Sequence, residues 1–284
     1  MKRRGVLFKG APLTLVGREV RAGDAAPGFR ATSNELKDVR LSDFKGMVKV
    51  ITSFPSLDTP VCDLQVKEFN KRAASLGEGV AVIGISKDLP FAQKRFCDAH
   101  EITRVTVVSD YLRSSFGINY GLLIRELNLL ARAVLIVDAN DVVRYVQVVP
   151  ELTTPPDYEE ALGALSGTLS SPAATPRAGA APRCIPCEGG AAPLGAGEAA
   201  AMAAKLPEWR LLEGKRLARE FAFPDYDAAR YFLDTVAALA EEEGHHPEMT
   251  LSWRKVAVSL TTHAAGGLTR NDFVMAGLID GLDQ

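Results

Sequence analysis

The stretch Phe54-Pro55-Ser56-Leu57-Asp58-Thr59-Pro60-Val61-Cys62 decides how this chain is read. Residues 48–54 are a short apolar run that stops at Pro55, the pattern of a buried strand. Residues 62–76 carry apolar side chains at helical spacing (Leu64, Phe69, Ala73, Leu76) and end at Gly77. Proline is favoured at the first helical position and threonine at the cap before it. Thr59 is therefore read as the N-cap, Pro60 as the opening residue and Cys62 as the third of the first turn. A thiol there faces unpaired backbone N–H groups and the positive end of the helix dipole, and both favour the thiolate. Cys62 is read as a reactive cysteine, with a small core residue as the alternative.

Outward from this turn, strand and helix patterns alternate. Residues 80–85 and 105–108 read as strands, with a helix over 89–100 between them. Residues 133–137 and 142–149 read as strands joined by Asp138-Ala139-Asn140-Asp141, a composition suited to a hairpin turn. The sum is an α/β layer fold with a mixed sheet. Residues 166–183 hold three prolines and almost no large apolar side chains, so they read as a semi-extended linker between domains 1–165 and 184–284. The second domain reads as helices over 198–206, 225–243 and 270–279, the last capped by Thr269. Strands are expected at 209–212, 217–223, 249–253 and 256–262, which makes a smaller α+β domain with an antiparallel sheet.

Of the 284 residues, 47% are hydrophobic and 24% charged, the balance of a soluble globular protein. Lys and Arg number 33 against 35 Asp and Glu, a net charge of −2 that provides no basic field for nucleic acid. Residues 1–183 carry 24 basic and 20 acidic groups and residues 184–284 carry 9 and 15, so +4 faces −6, as if two units of separate origin had been joined. No apolar stretch approaches the ~20 residues of a membrane helix, and Lys9 interrupts the only run that could start a signal peptide. A cytoplasmic protein without membrane contact is expected. The four cysteines, Cys62, Cys97, Cys184 and Cys187, are too few and scattered for a disulfide scaffold.

The Cys62 segment, then Ser86-Lys87-Asp88-Leu89-Pro90-Phe91-Ala92-Gln93-Lys94-Arg95-Phe96-Cys97 and Leu129-Leu130-Ala131-Arg132-Ala133-Val134, resemble the bacterial thiol peroxidases. These are atypical two-cysteine peroxiredoxins on a thioredoxin-like fold, and the resemblance spans roughly residues 17–165. It implies that Cys62 is the peroxidatic nucleophile, oxidised by peroxide to a sulfenic acid. Thr59 would hold the thiolate and peroxide through its hydroxyl, Pro55 would shield the sulfur from water, and Arg132 would supply fixed positive charge. Cys97 would be the resolving thiol, forming an intramolecular disulfide that a dithiol reductant, thioredoxin, reopens. The alternatives are an ordinary strand-end arginine at Arg132 and a buried structural thiol at Cys97.

His245, His246 and His263 are three of only four histidines. Adjacent imidazoles on an extended segment point to opposite sides, and no HExxH spacing occurs, so acid–base work fits better than zinc. If residues 256–263 are one strand, Val256, Val258 and Leu260 share one face, and His263 projects from the small polar face of Ala257, Ser259 and Thr261. A hydrogen-bonded buried histidine is the alternative. Gly244-His245-His246-Pro247-Glu248 and Thr262-His263-Ala264-Ala265-Gly266-Gly267-Leu268-Thr269-Arg270-Asn271-Asp272 are similar to pterin-4a-carbinolamine dehydratases, over about residues 184–283. Leu206-Pro207-Glu208-Trp209 and Arg219-Glu220-Phe221-Ala222-Phe223 share in the likeness. It implies metal-free dehydration of 4a-hydroxytetrahydropterin to quinonoid dihydropterin, with His245 and His263 as acid and base and His246 binding the pterin. Asp272 is read as orienting His263 or, with Thr269, as a helix capping box. Met249 departs from the aromatic residue often found after such a segment, and Cys184-Ile185-Pro186-Cys187 receives no catalytic role.

The chain is thus expected to be a bifunctional enzyme, reducing hydrogen peroxide and organic hydroperoxides and dehydrating the pterin. It should need no cofactor or metal and should form a homo-oligomer. The alternative is a peroxiredoxin carrying a non-catalytic dehydratase-like module for binding or dimerisation.

Overall fold

The computed structural model describes residues 4–172, 174–175, 184 and 192–282. Residues 1–3, most of the second half of the expected linker, and Cys187 lie outside the described residues. The chain divides into two units, Met1–Ala180 and Ala181–Gln284. Among the described residues no helix is long and apolar enough to cross a membrane.

The first unit begins with the hairpin of β1 (Gly5–Phe8) and β2 (Ala11–Val16), followed by a second hairpin of β3 (Arg30–Thr32) and β4 (Asp38–Arg40). Then come β5 (Val48–Ser53), α1 (Pro60–Ala73), β6 (Val80–Ser86), α2 (Pro90–Ala99) and β7 (Thr106–Ser109). The short elements α3 (Ser115–Asn119), β8 (Leu123–Ile124) and β9 (Leu129–Leu130) precede β10 (Ala133–Val137), β11 (Val143–Val148) and α4 (Tyr158–Leu169). Seven strands make one mixed sheet in the order β11-β10-β5-β6-β7-β3-β4, in which β5, β6 and β7 run parallel. A smaller sheet has the order β1-β2-β8-β9.

All six residues of β5 are buried, the mark of a central strand covered on both faces. The burial extends to Lys49, whose Nζ bonds the Asp138 carbonyl and the Asp141 carboxylate at the expected β10–β11 turn. In α1 the inward face is Cys62, Gln65, Val66, Phe69 and Ala73, at helical spacing. Leu64, expected on that face, is exposed, because two residues from Cys62 along a helix is more than half a turn around it.

The start of the expected linker needs correction. α4 continues to Leu169, because Ala161, Leu165 and Thr168 keep one buried face. Beyond it, the Ala174 N–H donates to Asp138 Oδ2 at 2.8 Å, and Asn140 Nδ2 donates to the Ala174 carbonyl at 3.0 Å. The first part of the low-complexity stretch is therefore helix, then a segment tied to the β10–β11 turn.

The second unit comprises α5 (Ala196–Ala203), β12 (Arg210–Leu212), β13 (Arg216–Ala222), α6 (Tyr226–Glu243), β14 (Glu248–Ser252), β15 (Lys255–Leu260) and α7 (Arg270–Asp280). Its antiparallel sheet has the order β12-β13-β15-β14, and Leu217, Phe221, Val256, Val258 and Leu260 from it share a core with Phe232, Val236 and Ile279 of the helices. α6 ends at Gly244, whose φ of 63° lies in the left-handed region that glycine enters at no steric cost. β15 stops at Leu260, and His263 lies instead on a short 3₁₀ turn, His263–Ala265, closed by Gly266 at φ 67°. The expectation that His263 continues the small polar face of the strand is corrected by that turn, which bridges Thr262 to Gly267.

Candidate functional site

Cys62 is fully buried at the third position of α1, and its thiol meets two side chains. The Thr59 hydroxyl lies 2.8 Å from Sγ and also 3.0 Å from the Ser56 carbonyl. It carries one proton, so it bonds Ser56 when Cys62 is a thiol that donates, and turns that proton to a sulfur that has lost its own. Thr59 is the N-cap by backbone conformation, but its side chain accepts no capping hydrogen bond. Pro55 is buried in the preceding loop.

On the sulfur's other side Arg132 Nη2 lies 3.4 Å from Sγ. Arg132 precedes β10, is 1% exposed, and donates from Nη2 and Nε to the Leu152 carbonyl at 2.8 and 3.3 Å. Its Nη1 donates to Gln65 Oε1, while Gln65 Nε2 donates to Thr52 Oγ1 and the Ser53 carbonyl. Among the described residues no carboxylate pairs with this buried guanidinium; the one partner able to become an anion is Cys62. A buried cation without a counter-charge costs several kcal/mol of desolvation. Sequence reasoning missed Gln65 and the Leu152 carbonyl. The signal for Gln65 was its position one helical turn after Cys62, where a polar side chain interrupts an apolar face.

Cys97 lies near the end of α2, half-buried beside Phe96 against the core cluster that includes Cys62. Burial pushes its thiol upward, partly offset by a hydrogen bond from Asn34. Neither cysteine is in a disulfide. Between the helices opens a cleft of about 500 Å³, lined on one side by Leu57, Thr59 and Pro60 and on the other by Ala92, Arg95 and Phe96.

In the second unit each of the three histidines faces a different carboxylate. His245, buried, meets Asp272 Oδ1 through Nε2 at 2.8 Å. Asp272 is fully buried, and its Oδ2 accepts the Thr269 N–H at 2.7 Å and the Thr262 hydroxyl at 2.8 Å. With Thr269 it forms the capping box of α7. The reading of Asp272 as the orienter of His263 is thereby corrected: its imidazole partner is His245, brought to the start of α7 by the turn at Gly244. His246 is exposed and pairs with Glu241 at 2.9 Å. His263, with 73% of its side chain exposed, has Nε2 3.6 Å from Glu248 Oε1. Glu241 and Glu248 were not singled out in the sequence, although Glu248 stands within the quoted histidine motif. Cys184 is half-buried, its N–H bonded to Glu243 at 2.7 Å.

Residues 21–162 match the family model described as Redoxin, and residues 192–282 that of pterin 4 alpha carbinolamine dehydratase. The chain is 49% identical over 164 residues to a thiol peroxidase of Halalkalibacterium halodurans, covering 58% of this chain and 98% of that protein. A thiol peroxidase of Bacillus subtilis is 48% identical over 159 residues, 56% of this chain and 95% of that protein. The crystal structure of a peroxiredoxin-like protein from Aquifex aeolicus superposes with a TM-score of 0.56 at 45% identity, covering 58% of this chain and 97% of that one.

Proposed function

The chain belongs to the redoxin family, as a thioredoxin-like thiol peroxidase domain followed by a pterin dehydratase-like domain, and from that premise we propose a chemistry for each. In the first, Cys62 thiolate attacks the terminal oxygen of hydrogen peroxide or an organic hydroperoxide. The O–O bond breaks, the sulfur becomes a sulfenic acid, and the alkoxide or hydroxide leaves as alcohol or water after taking a proton. Arg132 and the Thr59 hydroxyl stabilise the anionic sulfur and the charge that builds on the leaving oxygen. Cys97 then displaces the sulfenic hydroxyl as water and forms a disulfide, which a dithiol protein of the thioredoxin type reduces by exchange. The observation that carries this reading is the buried Arg132, whose charge is balanced when Cys62 is ionised. The deciding experiment follows peroxide consumption by the full chain with a dithiol reductant, and by its Cys62→Ser variant, in which consumption should stop.

In the second domain we assign dehydration of 4a-hydroxytetrahydropterin. One histidine protonates the departing 4a-hydroxyl, another takes the N5 proton, and water leaves. His245 and His263 are the acid–base candidates, and His246 binds the pterin. Burial of His245 in the capping network favours the second reading, a binding or dimerisation module without turnover. Turnover of the hydroxypterin by the full chain separates the two.

A further inference from the structure

One side chain ties the Cys62 loop to the base of the helix that carries Cys97. Asp88 stands two residues before Pro90, the first residue of α2. Its Oδ1 accepts the Ser56 hydroxyl at 2.7 Å, and its Oδ2 accepts the Leu57 N–H and the Ser86 hydroxyl, each at 2.8 Å. The Asp88 carbonyl takes the Ser109 hydroxyl from the end of β7. Ser56 in turn accepts from the Thr59 hydroxyl and the Thr59 N–H. Hydrogen-bonded residues therefore link Cys62 through Thr59 and Ser56 to Asp88 at the start of α2, the Ser56 carbonyl facing Thr59 and its hydroxyl facing Asp88, and the Thr59 N–H keeps the link when the Thr59 hydroxyl turns to the sulfur.

This linkage has a mechanical consequence. A disulfide needs its Cα atoms within about 7 Å and its sulfurs at about 2 Å, and both cysteines are free thiols in intact helices with a cleft between the start of one and the face of the other. Joining them requires the first turn of α1 or the last turns of α2 to unwind. A carboxylate holding both sides of the intervening cleft opposes that movement, and hydrogen bonds to a carboxylate are the stronger kind.

Resting on the reading of Cys62 and Cys97 as peroxidatic and resolving thiols, we infer that Asp88 is a positioning residue, a latch that keeps the loop folded for peroxide and delays resolution. The sulfenic acid then has two exits. Cys97 attacks its sulfur, an S–S bond forms, the S–O bond breaks, and the hydroxyl leaves as water with the Cys97 proton. Alternatively, the Cys62 sulfur attacks a second peroxide, the O–O bond breaks, and the products are a sulfinic acid and an alcohol or water. The latch sets the partition by holding the loop closed while both compete.

The test uses the full chain, its Asp88→Asn variant and its Ser56→Ala variant. Disulfide formation is timed by rapid quench after one equivalent of peroxide, and sulfinic acid at Cys62 is counted by mass spectrometry at rising peroxide. Asp88→Asn should form the disulfide about tenfold faster and yield correspondingly less sulfinic acid per turnover, while reacting more slowly with peroxide. Ser56→Ala, which removes one of the three hydrogen bonds to the Asp88 carboxylate together with the Asp58 N–H bond to the same hydroxyl, should shift the partition the same way by a smaller factor, and decides alone if Asp88→Asn fails to fold. An unchanged partition, or slower disulfide formation, in a folded variant overturns the latch. Absence of any Cys62–Cys97 disulfide in the unaltered chain overturns the thiol-pair reading and the latch with it; a normal disulfide with an unmoved partition sinks the latch alone.

Discussion

Arg132 and Cys62, seventy positions apart in the chain, meet as Nη2 and Sγ at 3.4 Å inside a fully buried setting. The guanidinium is fixed by Gln65 and the Leu152 carbonyl before any peroxide arrives, so its charge needs no reorganisation during attack. Arg132→Lys keeps the charge but loses the planar fork that reaches Gln65, Leu152 and the sulfur together. Its kcat/KM for peroxide should fall by about 10²–10³-fold, the range for removing one preorganised donor. A near-normal value in steady-state peroxide consumption would show that Arg132 is a packing residue only.

Cys97→Ser should leave the first turnover intact and stall the second. The serine hydroxyl cannot attack the sulfenic acid, so Cys62 remains oxidised after one equivalent of peroxide. A mass increase of one oxygen confined to the Cys62 peptide is the expected reading. A variant that cycles normally with thioredoxin removes Cys97 from the resolving role.

The fold was legible wherever burial wrote a period into the sequence. The fully buried β10 appears as an unbroken apolar run, β5 as one broken by Lys49 and closed by Thr52 and Ser53, and the Thr59-Pro60 cap marked the start of α1 to the residue. The amino-terminal hairpin was not legible, because β1 buries only Val6 and its alternation drowns in exposed neighbours. At the sites, local chemistry could be read but partners could not. Gln65 counts against an apolar helix face until Arg132, far along the chain, explains it. Which histidine Asp272 meets depends on where the glycine turns at Gly244 and Gly266 send the backbone, and spacing alone does not encode that.

Acid titration should expose two carboxyl groups of opposite sign in the first unit. Glu151 accepts the Thr153, Gly10 and Lys9 N–H groups, which hold its carboxyl down to about 2 from 4.5. The folded state binds that proton less readily, so its stabilisation is full above about 4.5 and is lost as pH falls toward about 2. Asp110 is the reverse: burial pushes it from 3.8 up to about 7, against the N–H groups of Gly117 and Phe116. Its folded form favours the proton, so its contribution is full below about 3.8 and is lost as pH rises through about 7. Urea midpoints of Glu151→Gln should therefore fall less steeply on the acid side than those of the unaltered chain. Asp110→Asn should lose part of the decline between pH 4 and 7. Parallel curves for either variant refute the corresponding assignment.

Dehydration should separate from peroxide reduction and from metal. His263 is mostly exposed and fixes no helix, so His263→Ala should abolish hydroxypterin turnover without lowering the melting temperature. Asp272→Asn should abolish turnover and also lower the melting temperature, because it loosens His245 and breaks the capping box of α7, at a cost of about 1–3 kcal/mol for the lost charged hydrogen bonds. Cys62→Ser and Cys97→Ser should leave the dehydration rate where it was. With imidazoles as acid and base, the pH–rate profile should be bell-shaped with both limbs near histidine values, and added chelator should change nothing. Loss of turnover on chelation, restored by zinc, would replace acid–base catalysis with a metal site; retention of full turnover in His263→Ala would move the catalytic role to another side chain.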